Sequence, residues 1–192
     1  TALSSQRDMD VISVECERIA RFAHLLDCPN IVAVPATTED EKDLTAEQYS
    51  VLKSIAAAHG AVIALEFPVN AAYLSTLEKT VPLVEQSGIS LVVDSFHFLV
   101  GGSSLNALEQ LDPKHIGLVH ISDAEDYSFD YLKTVKHDLR TYPGAGTLPL
   151  PEFVKSLRQI GYAGTYSCDV WNKRINAMKS SDVAIEAKRT MD

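Results

Sequence analysis

The stretch ISLVVD, residues 89–94, is a short apolar run that ends on an aspartate. Its apolar residues stand next to one another, which is typical of a parallel strand covered on both faces. Three further runs have this form and also end on a side chain that can bind a metal: AVIALE (61–66), IGLVH (116–120) and TYSCD (165–169). A fifth run, IVAVP (31–35), ends without such a side chain. The pattern predicts five parallel strands.

Helical patterns separate these strands, at residues 8–26, 45–59, 75–86, 104–111, 129–135 and 149–160, and a last helix begins near residue 180. Alternating strands and helices predict an α/β fold with right-handed crossovers. A TIM (β/α)8 barrel usually needs about 250 residues. We therefore expect a single domain, residues 1–192, that is a partial barrel lacking its N-terminal strands. The alternative, an open doubly wound sheet, usually has a glycine-rich loop after its first strand, where this chain has Pro35-Ala-Thr-Thr38.

Composition limits the class of protein. The chain of 192 residues has 17 basic and 26 acidic residues, a formal charge of −9, which opposes binding to nucleic acid. Its apolar runs are shorter than the roughly 18 residues of a membrane helix, so we expect no membrane contact. Three cysteines without paired spacing (Cys16, Cys28, Cys168) argue against a disulfide framework and favour a cytoplasmic location. Assembly into a homo-oligomer stays open.

Four candidate metal ligands follow from the strand ends: Glu66, Asp94, His120 and Asp169. The carboxyl ends of parallel strands meet at one edge of a sheet, where α/β enzymes place their chemistry. Three carboxylates and one imidazole suit one divalent metal ion, Mn²⁺, Mg²⁺, Co²⁺ or Zn²⁺. A single Asp or Glu at a strand end is more often a helix cap or an ion-pair partner.

Three further residues are candidates for substrate binding. His97 lies just past one predicted strand and could bind substrate or a second ion, or else pack between two phenylalanines. Arg140 precedes the turn at residues 143–146, and its fixed donors could hold an oxyanion or a hydroxyl pair. Read alone, Arg140 and Asp138 are more typical of a solvated surface pair. Trp171 could form an apolar wall of the pocket or cover the rim of the barrel.

Five segments together resemble the xylose-isomerase-like barrel superfamily, and within it the inosose (2-keto-myo-inositol) isomerase-like sugar and cyclitol isomerases and epimerases: residues 63–67 (IALEF), 91–98 (LVVDSFHF), 119–123 (VHISD), 140–146 (RTYPGAG) and 166–170 (YSCDV). The resemblance implies a TIM barrel whose metal is held by residues matching Glu66, Asp94, His120 and Asp169, with His97 and Arg140 on the substrate. It implies a polyol or keto-sugar substrate that reacts through an enediolate, with Glu66 as the first candidate base and Asp169 as its partner.

The chain departs from this family at two points. The family usually has Glu where this chain has Asp169, and the missing methylene withdraws the carboxylate by about 1.5 Å. The family's first strands, which line part of the substrate pocket, have no counterpart in the sequence.

Three other functions stay open. The superfamily includes metal-dependent 3-dehydroshikimate dehydratases with similar motifs, although those enzymes often lack a histidine matching His120. It also includes apurinic-site endonucleases of the endonuclease IV type, which Asp94, His97 and Asp138 loosely match but which the acidic charge disfavours. A sugar-binding or vestigial barrel without catalysis is the non-enzymatic alternative.

Overall fold

The computed structural model describes residues 9–39, 42–126, 128–134 and 139–191, without the side chains of residues 129, 133 and 134. Asp138, which the sequence pairs with Arg140, lies outside the described residues, and so do the predicted first residue of the first helix, Asp8, and the last residue of the 129–135 helix, Val135.

Five parallel strands form the main sheet, in the order β1-β2-β3-β4-β7. Their bounds are β1 Asn30–Ala33, β2 Val62–Glu66, β3 Ser90–Asp94, β4 Ile116–Ile121 and β7 Tyr166–Cys168. The spatial order follows the chain order without the reversal that a doubly wound sheet has at its switch point. This confirms the prediction of a partial barrel. The apolar runs are buried on both faces, as in β3, where Leu91, Val92 and Val93 are all fully buried.

Nine helices are present among the described residues: α1 Met9–Leu25, α2 Ala46–Ala57, α3 Leu77–Ser87, α4 Ser95–Gly101, α5 Leu105–Glu109, α6 Phe129–Thr134, α7 Leu150–Gln159, α8 Lys173–Asn176 and α9 Ser180–Met191. A short 3₁₀ helix at Pro113–His115 leads into β4. The predicted start of α2 is confirmed by a capping box, in which the Thr45 hydroxyl accepts from Gln48 N and Gln48 Oε1 accepts from Thr45 N. None of the described helices is both long and apolar enough to cross a bilayer.

Several element bounds differ from the prediction. Helix α4 has no counterpart among the predicted helices. All six residues from Ser95 to Val100 are buried, so the segment shows no amphipathic period that would indicate a helix. Helix α8 has only four residues and was also missed. Helix α3 begins two residues later than expected, after its N-cap Thr76, and continues through Pro82. Strand β7 ends at Cys168, so Asp169 follows the strand.

Between Ser122 and Gly146 the sequence predicts one helix, at residues 129–135, and no strand. In the structure this stretch contains two further strands, β5 Asp123–Ala124 and β6 Arg140–Thr141, which pair antiparallel. In this ladder Ala124 lies opposite Arg140 and Asp123 lies opposite Thr141. The pairing brings Arg140 back to the carboxyl end of β4.

Candidate metal centre

The four predicted ligands all lie at the carboxyl edge of the main sheet. Glu66 is the last residue of β2, Asp94 is the last residue of β3, and His120 is the last but one of β4. Asp94 and His120 are direct partners in the β3–β4 ladder, so the register alone makes them neighbours. Asp169 follows β7 directly and donates its backbone N–H to Ile121 O, 3.0 Å away.

Glu66, Asp94 and His120 form a compact group. Each offers one ligand atom, and these three atoms lie within 4.8 Å of one another. His120 Nδ1 is 3.1 Å from Glu66 Oε1 and 3.9 Å from Asp94 Oδ2. Two carboxylates and an imidazole at this spacing fit a divalent cation in their donor chemistry and in their reach.

Asp169 lies beside this group. Its Oδ2 is 3.8 Å from His120 Nδ1 and 3.2 Å from Arg140 Nη1, and its side chain is 31% exposed. The carboxylate therefore faces the same space as the other three, but its shortest contact is with Arg140. A role for Asp169 as fourth ligand stays a prediction.

Arg140 reaches into the centre of the site with a side chain that is 1% exposed. Its Nη1 donates to Asp94 Oδ2 at 2.8 Å, and at 3.2 Å to Asp169 Oδ2, Asp169 O and Ser122 Oγ. The guanidinium also lies 4.7 Å from the centre of the Phe96 ring. Arg140 is therefore buried and paired, and its interpretation as part of a solvated surface pair is wrong.

His97 is buried in α4 and is held by the backbone. Val69 N–H donates to His97 Nδ1 over 3.1 Å. His97 Nε2 lies 3.0 Å from Arg140 Nη2, which can only donate. Each ring nitrogen therefore faces an N–H donor, and the imidazole lies directly beside the guanidinium. The ring also contacts Phe96 edge-on at 5.7 Å, so the packing alternative holds as well.

The close charges shift three pKa values. Burial opposes ionisation of Asp94, but the Arg140 guanidinium, His97 and their hydrogen bonds lower its pKa to about 2. Burial raises the pKa of Glu66, and the Asp94 charge adds to this against the opposing hydrogen bond from His120. Burial works against charging His120, yet the hydrogen bond and charge of Glu66 and the charges of Asp94 and Asp169 raise its pKa overall.

We expect stability to fall in acid because of Asp94. Its folded-state pKa lies below the ordinary 3.8, so its contribution is present above that value and is lost as the pH falls towards about 2. The loss should be on the order of 2 kcal/mol. Urea unfolding of the wild type and of Asp94→Asn between pH 2 and 6 measures it. Equal pH dependence of the two proteins would contradict this origin.

Comparison with known proteins places the chain in a family. The profile described as "Xylose isomerase-like TIM barrel" matches residues 13–191, almost the whole chain. The chain belongs to the xylose isomerase-like TIM barrel family. This confirms the resemblance found in the sequence.

The relatives of the chain include an inosose isomerase and a 3-dehydroshikimate dehydratase. The chain is 31% identical over 170 residues to an inosose isomerase of Bacillus subtilis, which covers 83% of this chain and 60% of that relative. It is 28% identical over 170 residues to a 3-dehydroshikimate dehydratase of Pseudomonas aeruginosa, with 87% of this chain and 26% of that relative covered. The chain thus spans about 60% of the length of the first relative.

A crystal structure of the IOLI protein with a binding zinc atom superposes with a TM-score of 0.81 at 27% identity. The superposition covers 93% of this chain and 66% of that one. This likeness supports the fold. The zinc atom belongs to the IOLI protein.

Two residues that contact the segment carrying Arg140 are absent from the predicted site, namely Asp123 and Asn172. Asp123 ends the segment at residues 119–123 but was given no role there, and Asn172 lies outside the five segments that carry the resemblance. Ser95 Oγ donates to Ser122 O at 2.7 Å and joins α4 to the loop after β4. Trp171 is 62% exposed and does not appear in the contacts of the cluster among the described residues, so its role as a pocket wall stays a prediction.

Proposed function

We propose that the chain carries the active site of a divalent-metal-dependent isomerase or epimerase of a sugar or cyclitol ketone. The observation that carries this proposal is the convergence of Glu66, Asp94 and His120 within 4.8 Å at the carboxyl edge of a parallel sheet. The inosose isomerase name of a relative at 31% identity supports the substrate class, a small polyol or keto-sugar.

Glu66, Asp94 and His120 would hold the cation, with Asp169 as the fourth ligand. Oxygen and nitrogen donors without a thiolate do not choose among Mn²⁺, Mg²⁺, Co²⁺ and Zn²⁺. When bound, the ion supplies Lewis acidity that makes the proton next to a substrate carbonyl easier to remove.

The chain's own groups supply proton transfer and binding. Glu66 is the proposed base, because its carboxylate ends β2 within the group and can accept a proton from the substrate carbon. Asp169 would return the proton from the other face of the substrate. For this role the Asp169 carboxylate, one methylene shorter than that of glutamate, has to reach the substrate. In the structure Arg140 Nη1 lies 3.2 Å from Asp169 Oδ2.

Arg140 and His97 would hold the substrate's oxygens. The Arg140 guanidinium is a fixed donor whose Nη2 lies 3.0 Å from His97 Nε2, and both side chains are buried. Donors already in place when charge develops on an oxygen stabilise it without reorganisation. Trp171 is the proposed apolar wall of the same pocket.

Metal binding and proton exchange test this proposal together. We expect Mn²⁺ or Zn²⁺, at about a hundredfold excess over Kd, to raise the melting temperature by about 5–10 °C. With 2-keto-myo-inositol in D₂O, the metal-loaded protein should exchange the proton beside the carbonyl, followed by NMR, and EDTA should stop the exchange. No bound ion and no thermal shift would favour the non-catalytic barrel.

The dehydratase is the second candidate, because a 3-dehydroshikimate dehydratase is also among the relatives. Both reactions begin with removal of a proton beside a carbonyl, so the same base and cation would serve either. Formation of protocatechuate from 3-dehydroshikimate, followed by absorbance, separates them. Turnover in that assay without exchange of 2-keto-myo-inositol would replace the isomerase by the dehydratase.

A further inference from the structure

Asp123 is a buried carboxylate at the start of β5 that binds only backbone in the contacts described for it. It is 2% exposed, and both oxygens accept hydrogen bonds: Oδ1 from the N–H of Ala124 (2.8 Å) and Leu148 (2.9 Å), Oδ2 from the N–H of Gly144 (3.1 Å) and Gly146 (3.0 Å). Three of these donors belong to residues 143–148, which we call the anchor loop. An ionised carboxylate accepts only, so four N–H groups use its capacity fully.

The anchor loop is fitted closely to β5. A Cβ atom added at Gly146 would collide with Ala124 O and Asp123 Oδ1, so this position requires glycine. The next residue, Thr147, donates its N–H to Ala124 O at 3.0 Å. The loop is therefore held against β5 by hydrogen bonds from two neighbouring residues and has no room for a side chain between them.

The anchor loop begins two residues after the end of β6, the strand that carries Arg140. Within β6, Arg140 lies opposite Ala124, and its carbonyl oxygen accepts from Asn172 Nδ2 at 2.9 Å. The backbone of Arg140 is thus held by β5 on one side and by Asn172 on the other. Asp123 fixes the chain just after it.

We propose that Asp123 is a positioning residue for Arg140. By fixing the anchor loop to β5, it holds the guanidinium 2.8 Å from Asp94 Oδ2 and 3.0 Å from His97 Nε2. A long arginine side chain loses much rotamer entropy when it is fixed, and a rigid backbone at its base limits the states it can reach. The effect of Asp123 on turnover rests on the proposed function. Its effect on the placement of Arg140 does not.

Chemical modification of Arg140 by phenylglyoxal tests the placement. Asp123→Asn keeps the shape but turns two acceptor positions into an NH₂ group that faces backbone N–H donors. We expect the anchor loop to open locally and Arg140 to be modified about tenfold faster than in the wild type, as read by peptide mass mapping. An unchanged rate would overturn the proposal.

Leu52→Ala is the matched control, because Leu52 is fully buried in α2 and has no part in the loop. It should lower the melting temperature without exposing Arg140. If it speeds modification of Arg140 as much as Asp123→Asn does at an equal loss of melting temperature, Asp123 is merely structural and the proposal is wrong.

One further readout, hydrogen exchange in the wild type, depends neither on Asp123→Asn folding well nor on the reaction assigned, and a second uses turnover. In the wild type, the amides of Gly144, Gly146 and Leu148 should exchange hydrogen as slowly as those of β4, and fast exchange would overturn the anchor. Where turnover is measurable, Asp123→Asn should lower kcat/KM about tenfold or more, but only when Arg140 is present. An equal loss of kcat/KM when Asp123→Asn is made in the Arg140→Gln protein contradicts the proposal. Absence of turnover in the wild type counts against the proposed function alone.

Discussion

Glu66→Gln is expected to abolish turnover of an inosose or keto-sugar substrate while the fold stays intact. Glutamine keeps the shape of the side chain but can neither accept the proton nor bring a negative charge to the cation. Loss of a general base alone lowers rates by about 10²–10⁴-fold, and weaker metal binding adds to this. The measurement is proton exchange with saturating Mn²⁺, alongside circular dichroism.

The fold should tolerate this change because burial already disfavours the ionised form of Glu66, and a neutral amide avoids that cost. Glu109→Gln is a matched control: this exposed carboxylate on α5 accepts from Ser156 Oγ at 2.9 Å, and its replacement should leave turnover unchanged. Full activity of Glu66→Gln would remove Glu66 from the mechanism.

The second large effect is on stability. Asp94→Ala is expected to lower the free energy of unfolding by about 3–5 kcal/mol, the usual result when one partner of a buried ion pair is removed. The substitution leaves the Arg140 guanidinium buried without its shortest contact and also removes the cap that accepts from His97 N at 2.8 Å. Urea unfolding near pH 7 without added metal measures this loss.

Two controls separate charge from capping. Asp94→Asn retains an oxygen for the cap and should lose less stability than Asp94→Ala. Asp112→Ala removes an exposed aspartate that caps the 3₁₀ helix through Lys114 N, and it should cost about 1 kcal/mol. If Asp94→Ala costs no more than Asp112→Ala, the buried pair contributes little to stability.

The edge of the sheet where the site lies could be predicted from the sequence because the signal is local. Each of Glu66, Asp94 and His120 closes an apolar run, and the parallel arrangement brings such ends to one edge. The same strand pattern predicted the partial barrel. This prediction depends only on the residue at which each apolar run ends. That residue is visible in the sequence without knowledge of distant contacts.

The position of Arg140 could not be predicted in this way. It depends on the antiparallel pairing of β5 and β6, two strands of two residues each, which leave almost no pattern in the sequence. An arginine in a long polar stretch is usually solvated, and only the tertiary pairing buries it. Asp123 was missed for the same reason, since its partners are backbone N–H groups of a loop more than twenty residues away.

Helix α4 shows a third limit. Its residues Phe96, Phe98, Leu99 and Val100 are all buried, so no polar face reveals the helical period. A weak signal was nevertheless present: aspartate is a preferred N-cap residue, and Asp94 accepts from His97 N–H at the start of α4.

All neighbouring strands of the main sheet run in the same direction. Parallel neighbours cannot be joined by a tight turn, so assembly has to wait for contacts between distant parts of the chain, which makes such sheets slow to fold. The three grouped side chains sit on three successive strands, and their group exists only once two crossovers are complete. The rate at which a divalent ion binds during refolding would therefore report the last steps of assembly and not the early collapse.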